Sequence, residues 1–201
     1  MDYIIHRVNS LEKLSKLSKD YGAEIDVLYD SKRLLLKHSP YDRPENVTTL
    51  EDFLKVYDKQ KLIINVKTSG IEENIIELTK KYTDNFLLLD VEFPFIVKNY
   101  KKYGQYLMLR ISKFEKINNL DHFNKYIEWV WLDTYEKFKF NDGYKDKLNA
   151  FKICLVSIER WLEEYETVSF IEEIKDLNLN IHAILTDTTT IKKWEKFYTS
   201  E

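Results

Sequence analysis

Residues 62–93 read LIINVKTSGIEENIIELTKKYTDNFLLLDVEF, and they hold a strand, a helix and a second strand in succession. LIINVK is a short β-rich run in which Ile63, Asn65 and Lys67 share one face, because side chains alternate along a strand. Ser69-Gly-Ile-Glu72 has the spacing of a capping box and opens an apolar helical period over Ile71–Tyr82. Phe86–Phe93 returns to the strand pattern. A strand, a helix and a strand in this order predict a parallel βαβ unit.

The same unit continues in both directions. Strands are predicted at Tyr3–Val8, Glu24–Leu28, Leu62–Lys67, Phe86–Phe93, Tyr106–Ser112, Trp129–Asp133, Ile153–Ile158 and Ile181–Thr186. Helical patterns lie between them at Leu11–Tyr21, Leu50–Tyr57 behind the capping pattern Thr49-Leu-Glu-Asp52, and Phe95–Tyr103 behind Pro94. Weaker ones lie at Leu120–Tyr126, Tyr144–Phe151, Val168–Leu177 and Ile191–Tyr198. Arg33–Lys37 adds an extended segment inside the second unit. Eight strands alternating with helices predict an α/β chain folded as a small single-domain (β/α)8 TIM barrel over residues 1–201, leaner than the roughly 250 residues usual for that fold.

Composition agrees with a packed globular chain. Hydrophobic residues make up 44% and charged residues 32%, enough for a core and a charged surface, and three prolines and four glycines leave no linker-like stretch. A formal charge of −3 without a Lys/Arg block argues against nucleic acid as a partner. The single cysteine, Cys154 in KICLV, excludes a disulfide framework and reads as a small buried hydrophobe. No run of 18 apolar residues predicts a transmembrane segment, and MDYIIHRV lacks the pattern of a signal peptide, so a cytoplasmic location is expected.

Barrel interiors are packed with side chains, and chemistry sits at the strand C-terminal ends, so inward positions should turn polar late along each strand. Period two gives Ile4 then His6, Ile63 then Asn65 and Lys67, and Leu88 then Asp90 and Glu92. It also gives Met108 then Arg110 and Ser112, Trp131 then Asp133, and Leu155 then Ser157 and Glu159. These residues are expected at one polar mouth, with Trp131 as an aromatic wall.

Glu24-Ile-Asp26 places two carboxylates on one strand face. Such a pair repels itself unless a cation intervenes, and hard Mg2+ or Ca2+ suits oxygen donors. The order HR at 6–7, GAEIDV at 22–27, KHS at 37–39 and INVK at 64–67, closed by ILTD at 184–187, resembles the glycerophosphodiester phosphodiesterase family. It is similar, more distantly, to the sphingomyelinase D and phosphatidylinositol-phospholipase barrels. In that family HRG ends the first strand, E-x-D the second, a His follows the return segment, and E-x-K ends the third. Val8 stands here for the glycine, Asn65 stands for the third carboxylate, and the segment from Arg7 to Glu24 is too short for the family's loop.

The resemblance implies a divalent-metal-dependent phosphodiesterase acting on a small or polymer-linked glycerol-type phosphodiester. Glu24, Asp26 and Asn65 would then meet Mg2+ or Ca2+. His6 and His38 would be the general acid and base, in an order left open. Arg7, Lys67 and Arg110 would face the phosphate. Asp90, Glu92, Trp131, Asp133, Ser157 and Glu159 are further pocket candidates. The compact, altered pattern is also similar to proteins of bacterial surface-polysaccharide clusters, which implies a diester linked to such a polymer or to a lipid head group. The alternative reading is a catalytically degenerate barrel that binds a phosphate or sugar ligand, with Asn65 as the feature that separates the two.

Overall fold

The computed structural model describes residues 1–43, 46–115, 119–134, 142–158 and 164–199. Ile63 lies in strand β4 (Leu62–Val66), paired in parallel with Glu24 of β2 (Gly22–Tyr29) on one side and with Leu87 of β5 (Phe86–Leu89) on the other. β2 continues to β1 (Asp2–Ile5), and β1 to β9 (Ile181–Thr186). The sheet then runs through β8 (Lys152–Val156), β7 (Trp129–Leu132) and β6 (Met108–Ile111). All eight are parallel. A bridge between Leu88 and Leu107 brings the two ends together, so the sheet is a nearly closed barrel. The short β3 (Leu34–Leu36) adds antiparallel to the outer part of β2, where the sequence has its extra extended segment.

Helices α1 (Leu11–Lys16), α2 (Leu50–Lys55), α3 (Glu72–Thr79), α4 (Phe93–Tyr103), α5 (Leu120–Phe123), α6 (Asp142–Asn149), α7 (Glu164–Asp176) and α8 (Ile191–Thr199) alternate with the barrel strands. Thr49 caps α2 as predicted, accepting the Asp52 N–H at 3.0 Å, and Pro94 occupies the first turn of α4. The box expected at Ser69 does not form. Gly70 turns left-handed (φ 85°), Ile71 takes the cap position without a side-chain bond, and the Ser69 hydroxyl goes instead to Glu92.

Two apolar layers result. Ile4, Ile63, Leu87, Leu89, Met108, Trp129, Trp131, Cys154, Val156, Ala183 and Leu185 fill the barrel, and a larger cluster lies between strands and helices. Cys154 is a fully buried member of the inner layer. The inner set corrects the phase at two strands. Leu87 and Leu89 face inward on β5 and Cys154 and Val156 on β8, whereas the alternation counted from Leu88 and Leu155 had placed those residues inside. Both strands are apolar on each face, so alternation carries no phase signal there. Among the described residues, no helix is long and apolar enough to cross a membrane.

Candidate active site

The chain leaves β1 through His6, whose N–H donates to Thr186 O at 3.1 Å, and then turns left-handed at Arg7 (φ 53°). That turn points the Arg7 N–H at Glu24 Oε2, 2.8 Å away. A non-glycine residue in this region costs on the order of 1–2 kcal/mol, and here the strain delivers a donor to a buried carboxylate. Val8, at the position of the family glycine, is packed into the outer core while its N–H bonds Glu24 O at 2.8 Å.

Glu24 and Asp26 point inward from β2, and each is only 1% exposed. Glu24 also accepts from Asn65 Nδ2 at 3.3 Å, and His6 Nε2 lies 3.8 Å from its Oε2. Asp26 Oδ2 accepts from Asn9 Nδ2 at 2.8 Å, and Asn9 Oδ1 accepts the Asp26 N–H at 2.8 Å. Lys67 Nζ stands 3.2 Å from Asp26 Oδ1, and Arg7 Nε is 3.9 Å from Oδ2. Burial pushes the Glu24 carboxyl up to about 7; the Asp26 charge adds to the rise, and the Arg7 N–H, Asn65 and Lys67 offset part of it.

Across the mouth, Arg110 donates to both oxygens of Asp90, at 2.6 and 2.8 Å, and also binds Asp133. Its guanidinium carbon lies 5.7 Å from the centre of the Trp131 ring. Burial raises the Asp133 carboxyl above its usual range, against the pull of Arg110. Asp90 is left-handed (φ 58°), and that turn swings its side chain into the cavity although the strand phase would have sent it outward.

His6, Arg7, Glu24, Asp26, His38, Asn65, Lys67, Asp90, Arg110, Trp131, Asp133 and Val156 line one cavity of roughly 210 Å3. His38 reaches it from the exposed segment after β3. Glu92 lies elsewhere: it starts α4 and accepts from Ser69, because α4 begins at Phe93, where a longer strand had been expected. Ser157 also lies elsewhere, fully buried, accepting from Trp194 Nε1 at 2.7 Å in the helix layer. Glu159 falls outside the described residues. Two residues gained no role in the sequence reading. Asn9 has no motif signal, and Asp187, the last residue of ILTD, puts Oδ1 3.9 Å from His6 Nδ1.

Asn65 Oδ1 is buried and accepts no hydrogen bond. It stands with two carboxylates in a cavity where four acidic side chains (Glu24, Asp26, Asp90, Asp133) face three fixed cations (Arg7, Lys67, Arg110). Hard oxygens short of positive charge fit Mg2+ or Ca2+ in donor type, with one ligand charge fewer than three carboxylates would bring. Among the described residues, no group of three or more His, Cys, Asp and Glu is placed to hold a metal by itself.

No family model matches the chain, and no curated protein matches it. Among solved structures, the glycerophosphodiester phosphodiesterase from Agrobacterium tumefaciens str. C58 superposes with a TM-score of 0.62 at 8% identity, over 92% of this chain and 96% of that one. The fold is a (β/α)8 barrel similar to the one in that enzyme. At 8% identity the likeness lies in the path of the backbone. In this barrel the polar cavity occupies the C-terminal mouth of the strands, the end at which barrel enzymes assemble their chemistry.

Proposed function

We propose that this chain hydrolyses a glycerol-type phosphodiester at the barrel mouth with the help of a divalent cation. The observation that carries the reading is the convergence of His6 and His38 with the buried Glu24–Asp26 pair, Arg7 and Lys67 in one cavity. The buried Glu24–Asp26 pair supports a bound Mg2+ or Ca2+, because burial and the Asp26 charge push Glu24 up to about 7 and a cation between the two would let both ionise. Glu24, Asp26 and Asn65 would hold the ion, with Asn65 Oδ1 as the neutral donor. When bound, such an ion withdraws charge from a phosphoryl oxygen and makes a nearby water more acidic.

The side chains supply the rest. Arg7 and Lys67 neutralise the phosphodiester, Arg as a planar fork and Lys as a point charge. Arg110 enters already paired with Asp90 and Asp133, so its part is to fix that wall of the cavity. One histidine takes the proton of an attacking water as the new P–O bond forms. The other gives a proton to the departing alkoxide as the old P–O bond breaks, leaving a phosphomonoester and an alcohol. Asp187 near His6 Nδ1 is positioned to orient that ring.

The binding-module reading is favoured by one feature, the Asn65 amide donating to Glu24 while Lys67 occupies Asp26. Hydrolysis of bis(p-nitrophenyl) phosphate in chelator, and then with Mg2+, Ca2+ or Mn2+, separates the two. Turnover restored by a divalent ion is the expected result. No turnover with any ion at millimolar concentration sinks the enzyme reading.

A further inference from the structure

The barrel closes at β5 and β6 through the bridge between Leu88 and Leu107, whereas every other neighbouring pair shares a ladder. A second hollow of roughly 360 Å3 opens at this seam, lined by Val91, Phe93, Ile96, Met108 and Leu109 together with Asp90, Arg110 and Glu115. Asp90 and Arg110 line both this hollow and the polar cavity, so their ion pair is the wall that the two spaces share. On the α4 side the hollow ends in Phe93, 53% exposed, and Val97 one turn on is 50% exposed. The seam thus offers apolar surface to water directly beside the proposed phosphodiester site.

We infer that the seam hollow receives a neutral alkyl or acyl substituent carried on the phosphodiester, which makes the substrate amphipathic. This rests on the phosphodiesterase reading of the adjoining cavity and names the class of diester it takes. The charged end lies over Arg7 and Lys67, and the chain passes the Asp90–Arg110 pair to reach Val91, Phe93 and Ile96. The substituent is neutral because Val91, Phe93, Ile96, Met108 and Leu109 supply most of the lining, where a charge would lose its hydration, and the Asp90 carboxylate is already bound by Arg110. It is a chain because roughly 360 Å3 is less than the space filled by one turn of a helix, about 10 Å across with a pitch of about 5.4 Å.

The test is a series of p-nitrophenyl phosphodiesters carrying methyl, butyl or octyl on the other ester oxygen, each used as a monomer. kcat/KM should rise about twofold to fourfold per methylene until the hollow is full. Phe93→Ser should flatten the series and leave the methyl ester within twofold of wild type, whereas Phe93→Leu should keep the slope. Hydrolysis that proceeds equally at every chain length overturns the inference and leaves the phosphodiesterase reading intact. Alkyl(methyl)phosphinates, which carry the same single negative charge and have no P–O–C bond to cleave, are titrated calorimetrically for the reverse case: affinity that climbs with chain length, with no diester hydrolysed, keeps the hollow and removes the enzyme. A gain seen only when the octyl ester is embedded in phosphatidylcholine vesicles, and not as a monomer, points to surface adsorption and also overturns the inference.

Discussion

Arg110 Nε and Nη2 donate to the two oxygens of Asp90 at 2.6 and 2.8 Å, a fork that ties β6 to the end of β5 at the seam where the strands themselves share only a bridge. The pair therefore has a structural task that an ordinary surface ion pair lacks. Arg110→Ala removes the fork, strips buried Asp133 of its guanidinium and leaves Asp90 with Lys67 alone, whose Nζ lies 4.0 Å from Oδ2. A loss of about 2–3 kcal/mol in urea unfolding is expected, with a smaller loss for Asp90→Ala, which leaves Asp133 on the guanidinium. Equal losses for the two variants would show that Asp133 takes no part.

Gly22 opens β2 against the base of β4. A Cβ there would stand 2.3 Å from Lys61 O and 2.5 Å from the Ile4 side chain. The carbonyl belongs to backbone and has little room to yield. Gly22→Ala should cost about 1–3 kcal/mol in thermal or urea melts while leaving the mouth chemistry in place.

The barrel was legible because strands and helices alternate almost without interruption, and because Glu24, Asp26, Asn65 and Lys67 keep strict alternation on the ordered β2 and β4 ladders. Alternation failed where it had nothing to read. β8 is apolar on both faces, so Ser157 was placed inside when Val156 is there. β5 stops at Leu89, and Asp90 reaches the cavity through a left-handed turn that period-two counting cannot foresee. Asn9 was invisible for a different reason: its bond to Asp26 depends on how the β1–α1 connection folds over β2, and no spacing in sequence encodes that.

Glu24 makes stability depend on pH. Its folded value, about 7, lies above the ordinary 4.5, so between these values the folded chain holds a proton that the unfolded chain has lost. The stabilisation is fully present below pH 4.5 and is lost as pH rises through 7, a contribution of about 3 kcal/mol at most. In chelator, Glu24→Gln should raise the Tm at pH 8 more than at pH 5. A wild-type Tm that climbs steadily from pH 5 to pH 8, with Glu24→Gln following it, would contradict this origin.

Asn65 tests the ligand set. Replacing the amide by Asp or Glu adds a charge at the atom that is now buried without a partner, beside Glu24. In calorimetric titrations with Mg2+ or Ca2+, Asn65→Glu or Asn65→Asp should tighten binding by roughly tenfold, about 1.4 kcal/mol. Unchanged affinity would place the ion away from this residue.

His6 and His38 enter the cavity from different elements, one from the end of β1 beside Glu24 and Asp187, the other from the segment after β3. Neither is among the residues proposed to hold a cation, so their loss should separate proton transfer from ion binding. His6→Ala and His38→Ala should each lower kcat by roughly 10²–10⁴ in steady-state hydrolysis, with metal affinity by calorimetry nearly unchanged. Glu24→Ala and Asp26→Ala should instead lose metal and activity together, and Arg7→Ala should act mainly through KM. Because His6 also lies against a buried carboxylate, a far-UV melt of His6→Ala checks that the fall in kcat is not a fall in folded fraction; the exposed His38 provides the cleaner arm. Hydrolysis that continues unchanged in the double His6/His38 variant would remove this mechanism even with the metal bound at Glu24 and Asp26.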